Sequence, residues 1–271
     1  MIRKHRFRWG LATTLLILLI GISCNVVPLQ YQESKPIETL DIEDEINILF
    51  IGNSHTFYND LPVVFEDLAH NGGHKVNAAV MAEGGWSLLQ HAQSNITIEQ
   101  INQHPWDYVV LQEKSSLPVN PIDRRDSMYP AVRTLNQEVE NIGGEVILFM
   151  TWGRRDGLPE IALNNYDEMQ SELEIGYMRI ADELDLMVSP VGKAWAQALD
   201  YYPDIQLWQT DGSHPSRVGS YLAACVFYAV VFMESPEGLT YFSGIEPELG
   251  GSIQMIAAKT VFEDPVQWQI K

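Results

Sequence analysis

Two cysteines in 271 residues are too few to build a disulfide framework. Cys225 sits inside the apolar run YLAACVFYAVVF, the setting of a core residue, while Cys24 closes a short apolar segment near the N-terminus. Basic residues are scarce as well: 17 Lys and Arg face 36 Asp and Glu, a formal charge of −19. An acidic surface of this kind repels nucleic-acid phosphates and anionic lipid headgroups, which argues against both as partners of the folded surface. The seven histidines include no H-E-x-x-H and no paired ligand spacing, so nothing in the pattern supports a metal site. No repeat at a solenoid period is present, and the N-terminal apolar run, Leu11 to Ile20, is short for a bilayer crossing.

That run belongs to an address. Arg3, Lys4, Arg6 and Arg8 precede it with no acid among them, and GISC follows at Gly21 to Cys24, the layout of a secretion signal. Cys24 resembles the lipidated cysteine of a bacterial lipobox, although Gly21 stands where that pattern has Leu. Plain signal cleavage and an uncleaved anchor are the alternatives. Removing residues 1–24 takes away four bases and no acid, leaving 13 bases against 36 acids, a formal −23. The expectation is an extracytoplasmic protein, membrane-anchored through lipid on Cys24 alone, or otherwise secreted or periplasmic. Residues 25–45 are polar, acidic and aperiodic and read as a tether. Residues 46–271 suffice for one domain with one core.

Within that domain, short apolar runs alternate with amphipathic stretches. Strands are expected at Ile46–Ile51, Val76–Ala82, Asp107–Gln112, Glu145–Trp152 and Leu184–Gly192. Helical spacing covers Leu61–Gly73, Met128–Ile142, Asn165–Leu184 and Val218–Met233, with one more helix around Ser252–Val261 in a tail otherwise silent. Strand and helix in alternation imply an α/β fold, a parallel sheet with helices on both faces. Ligands of such sheets bind beyond the carboxyl ends of the strands.

The segment ILFIGNSHTFYND, Ile48 to Asp60, places Ser54 at such an end. A serine there either caps the next helix or offers its hydroxyl as a nucleophile beside amides that suit an oxyanion. Nucleophilic chemistry needs a base. His5 falls in the signal, His55 follows Ser54 directly and is expected to point elsewhere, and His70, His74, His91 and His104 stand alone. His214 differs, because Asp211 precedes it by three residues in QTDGSHPSRVG. That spacing lets a carboxylate meet the imidazole Nδ1–H within one loop and leaves Nε2 for a serine hydroxyl. An ordinary polar turn ahead of a helix is the bland reading of the same residues.

GNSHT after the first strand, together with DGSH before the last apolar helix, resembles the SGNH or GDSL hydrolase superfamily. The resemblance spans most of residues 46–233, and the order and separation of the two blocks are more specific than either block. It implies a three-layer α/β/α sandwich, flavodoxin-like, around a five-stranded parallel sheet. It also implies Ser54 as nucleophile, His214 as general base and then acid, and Asp211 as the residue that orients the imidazole. An oxyanion hole would combine the Ser54 amide, a glycine amide and a side-chain donor. AEGGWS supplies Gly84 and Gly85, of which Gly85 opens the following helical stretch. Where the family has G-x-N-D, this chain has LQEKSS, so Gln112 is the expected substitute donor. Asn53 stands where many members carry Asp.

MTWGRRDG after the fourth strand sets Trp152, Arg154 and Arg155 at the same sheet edge, as a wall and an anion clamp or as a packed loop. Asn53, Trp86 and Glu113 join Trp152 and Arg154 as candidate substrate residues, and Tyr58 and Trp208 are further rim candidates. The expected activity is ester hydrolysis through an acyl-serine, on O-acetyl groups of carbohydrate or on another small ester, with neither metal nor organic cofactor. A catalytically silent, lipid-anchored carbohydrate-binding protein and an O-acyltransferase are the rival readings. Oligomeric state is not encoded in any spacing.

Overall fold

The structure, a computed structural model, describes residues 45–270. The expected signal segment, Cys24 and all but the last residue of the tether lie outside them.

Five strands form the sheet: β1 Ile46–Gly52, β2 Val76–Ala82, β3 Tyr108–Leu111, β4 Glu145–Phe149 and β5 Met187–Ser189. Their order is β2-β1-β3-β4-β5 and every pair is parallel. The near-continuous apolar character of these runs follows from burial on both faces, since successive side chains point to opposite sides. Ile48 and Phe50 of β1 enter one core with Val110, Ile147 and Phe149. Leu49 and Ile51 enter the other with Val109, Leu111, Leu148 and Val188.

The helices divide accordingly. After the short α1 (Ser54–Phe57), α2 (Leu61–Asn71) lies on the first face, and α3 (Leu88–Ala92) and α4 (Asn95–Asn102) lie on the second. The turn α5 (Pro121–Asp123) leads through a π-helical segment, Arg124–Met128, into α6 (Tyr129–Asn141), which joins α7 (Tyr166–Leu184) on the second face. The first face is completed by α8 (Val191–Tyr201), α9 (Arg217–Phe232) and α10 (Pro247–Phe262). From Gly219 to Val230 every residue of α9 is buried, because α2 and α10 pack beside it while the sheet lies beneath. This accounts for its unbroken apolar sequence and for Cys225, whose thiol burial pushes far up and leaves inert.

Two differences from the sequence expectation follow from packing. The fifth strand is only three residues long, and Val191 and Gly192 instead open α8, where Val191, Ala194, Trp195 and Ala198 recur at helical spacing and are all buried. The stretch between β2 and β3 holds α3 and α4, each started by a serine cap, Ser87 and Ser94.

Register decides what meets at the carboxyl edge. Ile51 pairs with Leu111 and Gly52 with Ala82, so the chain leaves β1, β2 and β3 at one level. Asn53-Ser54, Glu83 to Trp86 and Gln112-Glu113 therefore start from neighbouring strand ends.

Candidate active site

Ser54 is the first residue of α1, and the cap before it is Asn53, whose side-chain oxygen accepts from the His55 amide at 3.1 Å. Serine is thus not the cap; the neighbouring asparagine is. The Ser54 hydroxyl lies 2.9 Å from His214 Nε2. His214 Nδ1 in turn lies 2.6 Å from Asp211 Oδ2. The other carboxylate oxygen of Asp211 accepts from the amides of Ser213 and His214 at 2.9 and 3.0 Å, which folds the DGSH turn back on itself. Gly212, at φ +67°, supplies the left-handed residue that this turn requires. Partial desolvation opposes ionisation of Asp211, but the His214 hydrogen bond, the two amides and the imidazole's charge outweigh it and hold the carboxyl at about 2. Such an acid, fixed on Nδ1–H, sets the tautomer in which Nε2 accepts from the serine.

Further contacts hold this chain of groups. The His214 ring is stacked on Tyr58, with centroids 4.2 Å apart and planes 17° from parallel. Asn59, at φ +53°, donates to the carbonyl of Pro215 and to Ser220 Oγ, tying the Ser54 segment to the start of α9. His55 does more than the sequence suggested. It is buried, and its Nε2 lies 3.1 Å from the Ser213 carbonyl, an acceptor only, so the ring proton is on Nε2. Burial is the main reason that its pKa falls to about 4; the charges of His214 and Arg154 push the same way against the Ser213 bond. The adjacency of His55 to Ser54 and of Ser213 to His214 was the available signal.

No family model matches the chain, and no curated protein matches it in sequence. Solved structures do resemble it. A DUF4886 family protein from Bacteroides uniformis superposes with a TM-score of 0.72 at 21% identity, over 82% of this chain and 96% of that one. A provisionally assigned SGNH hydrolase from Slackia heliotrinireducens gives 0.57 at 26% identity, over 68% and 97%. A catalytic mutant of Axe2, an acetylxylan esterase from Geobacillus stearothermophilus, gives 0.52 at 15%, over 69% and 94%. The fold is SGNH hydrolase-like.

Within this SGNH-like fold the flanking residues divide into exposed and committed. Gly85, at φ +75°, is exposed in the turn closed by the Trp86 amide on the Glu83 carbonyl, and among the described residues neither its amide nor that of Ser54 meets a protein acceptor. Trp86 is partly exposed beside it. Gln112 departs from expectation. Its Oε1 accepts from the Asn53 amide at 2.8 Å and from Thr56 Oγ1 at 2.9 Å, and its Nε2 donates to the Glu113 carbonyl at 2.6 Å. Because an amide N–H only donates, it fixes which end of the carboxamide faces Asn53. Fully buried, Gln112 ties β3 to the Asn53–Thr56 turn and leaves no donor free for an oxyanion.

Asn53 is buried too, its Nδ2 donating to the Trp86 carbonyl at 2.8 Å, so it holds loops together and offers no face to a ligand. Glu113 is fully buried, accepting from the amides of Leu88 and Lys114 at 3.1 and 2.7 Å, and burial pushes its carboxyl up to about 7. Trp152 is a core residue stacked on Trp195 at 4.1 Å, and its indole N–H donates to the Ser213 carbonyl at 3.0 Å. Trp208 donates to the Gly153 carbonyl at 3.1 Å and packs edge-on against Trp195. Of the expected substrate residues, Trp86 and Arg154 retain partial exposure. Among the described residues no group of acids, histidines and cysteines could hold a metal ion.

Proposed function

We propose that the protein is a serine esterase that hydrolyses carboxyl esters, with O-acetylated carbohydrate as its substrate class. The observation that carries this reading is the unbroken chain from Ser54 Oγ to His214 Nε2 at 2.9 Å and from Nδ1 to Asp211 at 2.6 Å. In the reaction, His214 takes the Ser54 proton as Oγ attacks the acyl carbonyl. Asp211, ionised, stabilises the imidazolium, and the Tyr58 face stacked on it adds a cation–π contribution of about 0.5–1 kcal/mol. The unpartnered amides of Ser54 and Gly85 are suited to the oxyanion. His214 then protonates the leaving alcohol, and a water activated by the same Nε2 releases the acid from the acyl-serine. No step calls on a metal or an organic cofactor.

The substrate class rests on openness. The His214 and Asp211 side chains are 28% and 46% exposed, and the neighbouring rim carries a partly exposed tryptophan, features that admit the end of a polar chain. The SGNH-like fold is shared with an acetylxylan esterase. Export and lipid attachment at Cys24 belong to the same proposal and bring the site to extracellular polymers.

The purified protein should hydrolyse a small activated acetyl ester with a burst, and a fluorophosphonate should label Ser54. Ser54→Ala should abolish both. Equal rates from the two proteins would end the esterase reading, and transfer of acetate to added sugar in place of release would make the enzyme an acyltransferase.

A further inference from the structure

Among the described residues Arg154 is a cation with no carboxylate paired to it, on the loop that follows β4 at the carboxyl edge of the sheet. Arg124, Arg125, Arg133 and Arg155 each bond a carboxylate. Among the described residues Arg154 has neither an ion pair nor a side-chain hydrogen bond, and its Nε is enclosed with no acceptor. Among the described residues Arg179 and Arg217 also lack an ion pair, but only Arg154 has an enclosed guanidine nitrogen without an acceptor. The side chain as a whole keeps partial exposure, so an acceptor from outside the folded chain can still reach its guanidinium.

The backbone around it is held from both sides. The Gly153 amide donates to Gln170 Oε1 at 2.8 Å, and the Arg154 amide meets Met169 Sδ at 3.2 Å, both on α7. The next amide, Arg155, donates to the Gly212 carbonyl at 2.8 Å, inside the turn that carries Asp211 and His214. Trp208 clasps the Gly153 carbonyl. Arg154 is therefore fixed between α7 and the triad turn, close enough to His55, the neighbour of Ser54, for its charge to act on that imidazole. A guanidinium offers a planar fork of donors that matches a carboxylate, and the acidic surface around it would otherwise repel an anionic substrate.

We infer that Arg154 receives a carboxylate of the substrate, so that the site prefers acidic esters, such as an O-acetylated uronic acid, over their neutral counterparts. This rests on the serine esterase reading of the same site, and the test separates the two. Binding of acetylated methyl glucuronoside and acetylated methyl glucoside is measured by calorimetry on Ser54→Ala, with and without Arg154→Gln and Arg154→Lys. The acidic sugar should bind about 10- to 100-fold tighter to Ser54→Ala, the scale of one charge-assisted hydrogen-bonded pair. Arg154→Gln should erase that preference while leaving the neutral sugar's affinity unchanged, and Arg154→Lys should keep only part of it. Arg155→Gln, on an exposed arginine already bonded to Asp156, should keep all of it. Equal affinity for the two sugars, or equal loss of both on Arg154→Gln, overturns the inference. Failure of the Ser54 enzyme to turn over either ester overturns the esterase reading and leaves the binding preference to decide the role of Arg154.

Discussion

The carbonyl of Ser213 accepts two hydrogen bonds, one from His55 at 3.1 Å and one from the Trp152 indole at 3.0 Å, and the next residue is His214. Both lone pairs are thereby occupied, and the peptide plane ahead of the base is held from the nucleophile's side and from the core. Losing the His55 contact frees that plane without removing any group that touches substrate. His55→Leu should lower kcat by about 10²-fold through misplacement of His214, with KM nearly unchanged, and His55→Gln should recover part of it by offering a donor of similar reach. Steady-state kinetics on a small acetyl ester check this; a KM effect with kcat intact would assign His55 to substrate binding instead. The Asp211–His214 contact was legible in sequence because that motif folds within its own turn, and its meeting with Ser54 because the strand alternation brings both segments to one sheet edge. The employment of Gln112 was not, because what it bonds depends on β1 and β3 lying side by side, which no local spacing encodes.

The elements that present these residues were mostly legible, and where they were not the cause is tertiary. Long segments with clear periodicity, α2, α6, α7 and α9, stand within a few residues of their expected bounds. The five-residue α3 has too few positions to show a period, and it is held by a capping box at Ser87 and by His91, whose Nε2 donates to the Gly52 carbonyl at 2.8 Å. The same Gly52 carries the tightest constraint in the site. A Cβ there would lie inside contact distance of Thr56 Oγ1 and Gln112 Oε1, the two groups that hold the nucleophile turn. Gly52→Ala must therefore displace the α1 turn or the end of β3. It should cost about 1–3 kcal/mol of stability, as overpacking does, read as a lower urea midpoint. Fluorophosphonate labelling of Ser54 should slow as well. Loss of stability with an unchanged labelling rate would show that the strain relaxes away from the nucleophile.

For the whole molecule, two buried titratable groups near the sheet edge oppose each other in how stability depends on pH. His55 has its pKa lowered to about 4 from 6.5, so between those values the unfolded chain binds a proton that the folded protein refuses. Its contribution is present above pH 6.5 and is lost as pH falls toward 4, by about 3 kcal/mol over the full span. Glu113 has its pKa raised to about 7 from 4.5, so the folded protein holds a proton that the unfolded chain releases. Its contribution is present below 4.5 and is lost as pH rises toward 7, again by about 3 kcal/mol. Between pH 4.5 and 6.5 the two slopes have opposite sign and similar size and offset each other, leaving the intact protein the further loss on acidification that His91 contributes, since burial lowers its pKa as well. Glu113→Gln should expose the histidine, giving a protein that loses stability on acidification from pH 6.5. His55→Gln should expose the acid, giving one that loses stability as pH is raised from 4.5. Urea unfolding of the three proteins at pH 5, 6 and 7 measures the slopes directly, and parallel profiles would mean that neither group keeps its unusual protonation in the folded state. Both groups are buried, so the same experiment reports whether they stay uncharged inside the folded protein.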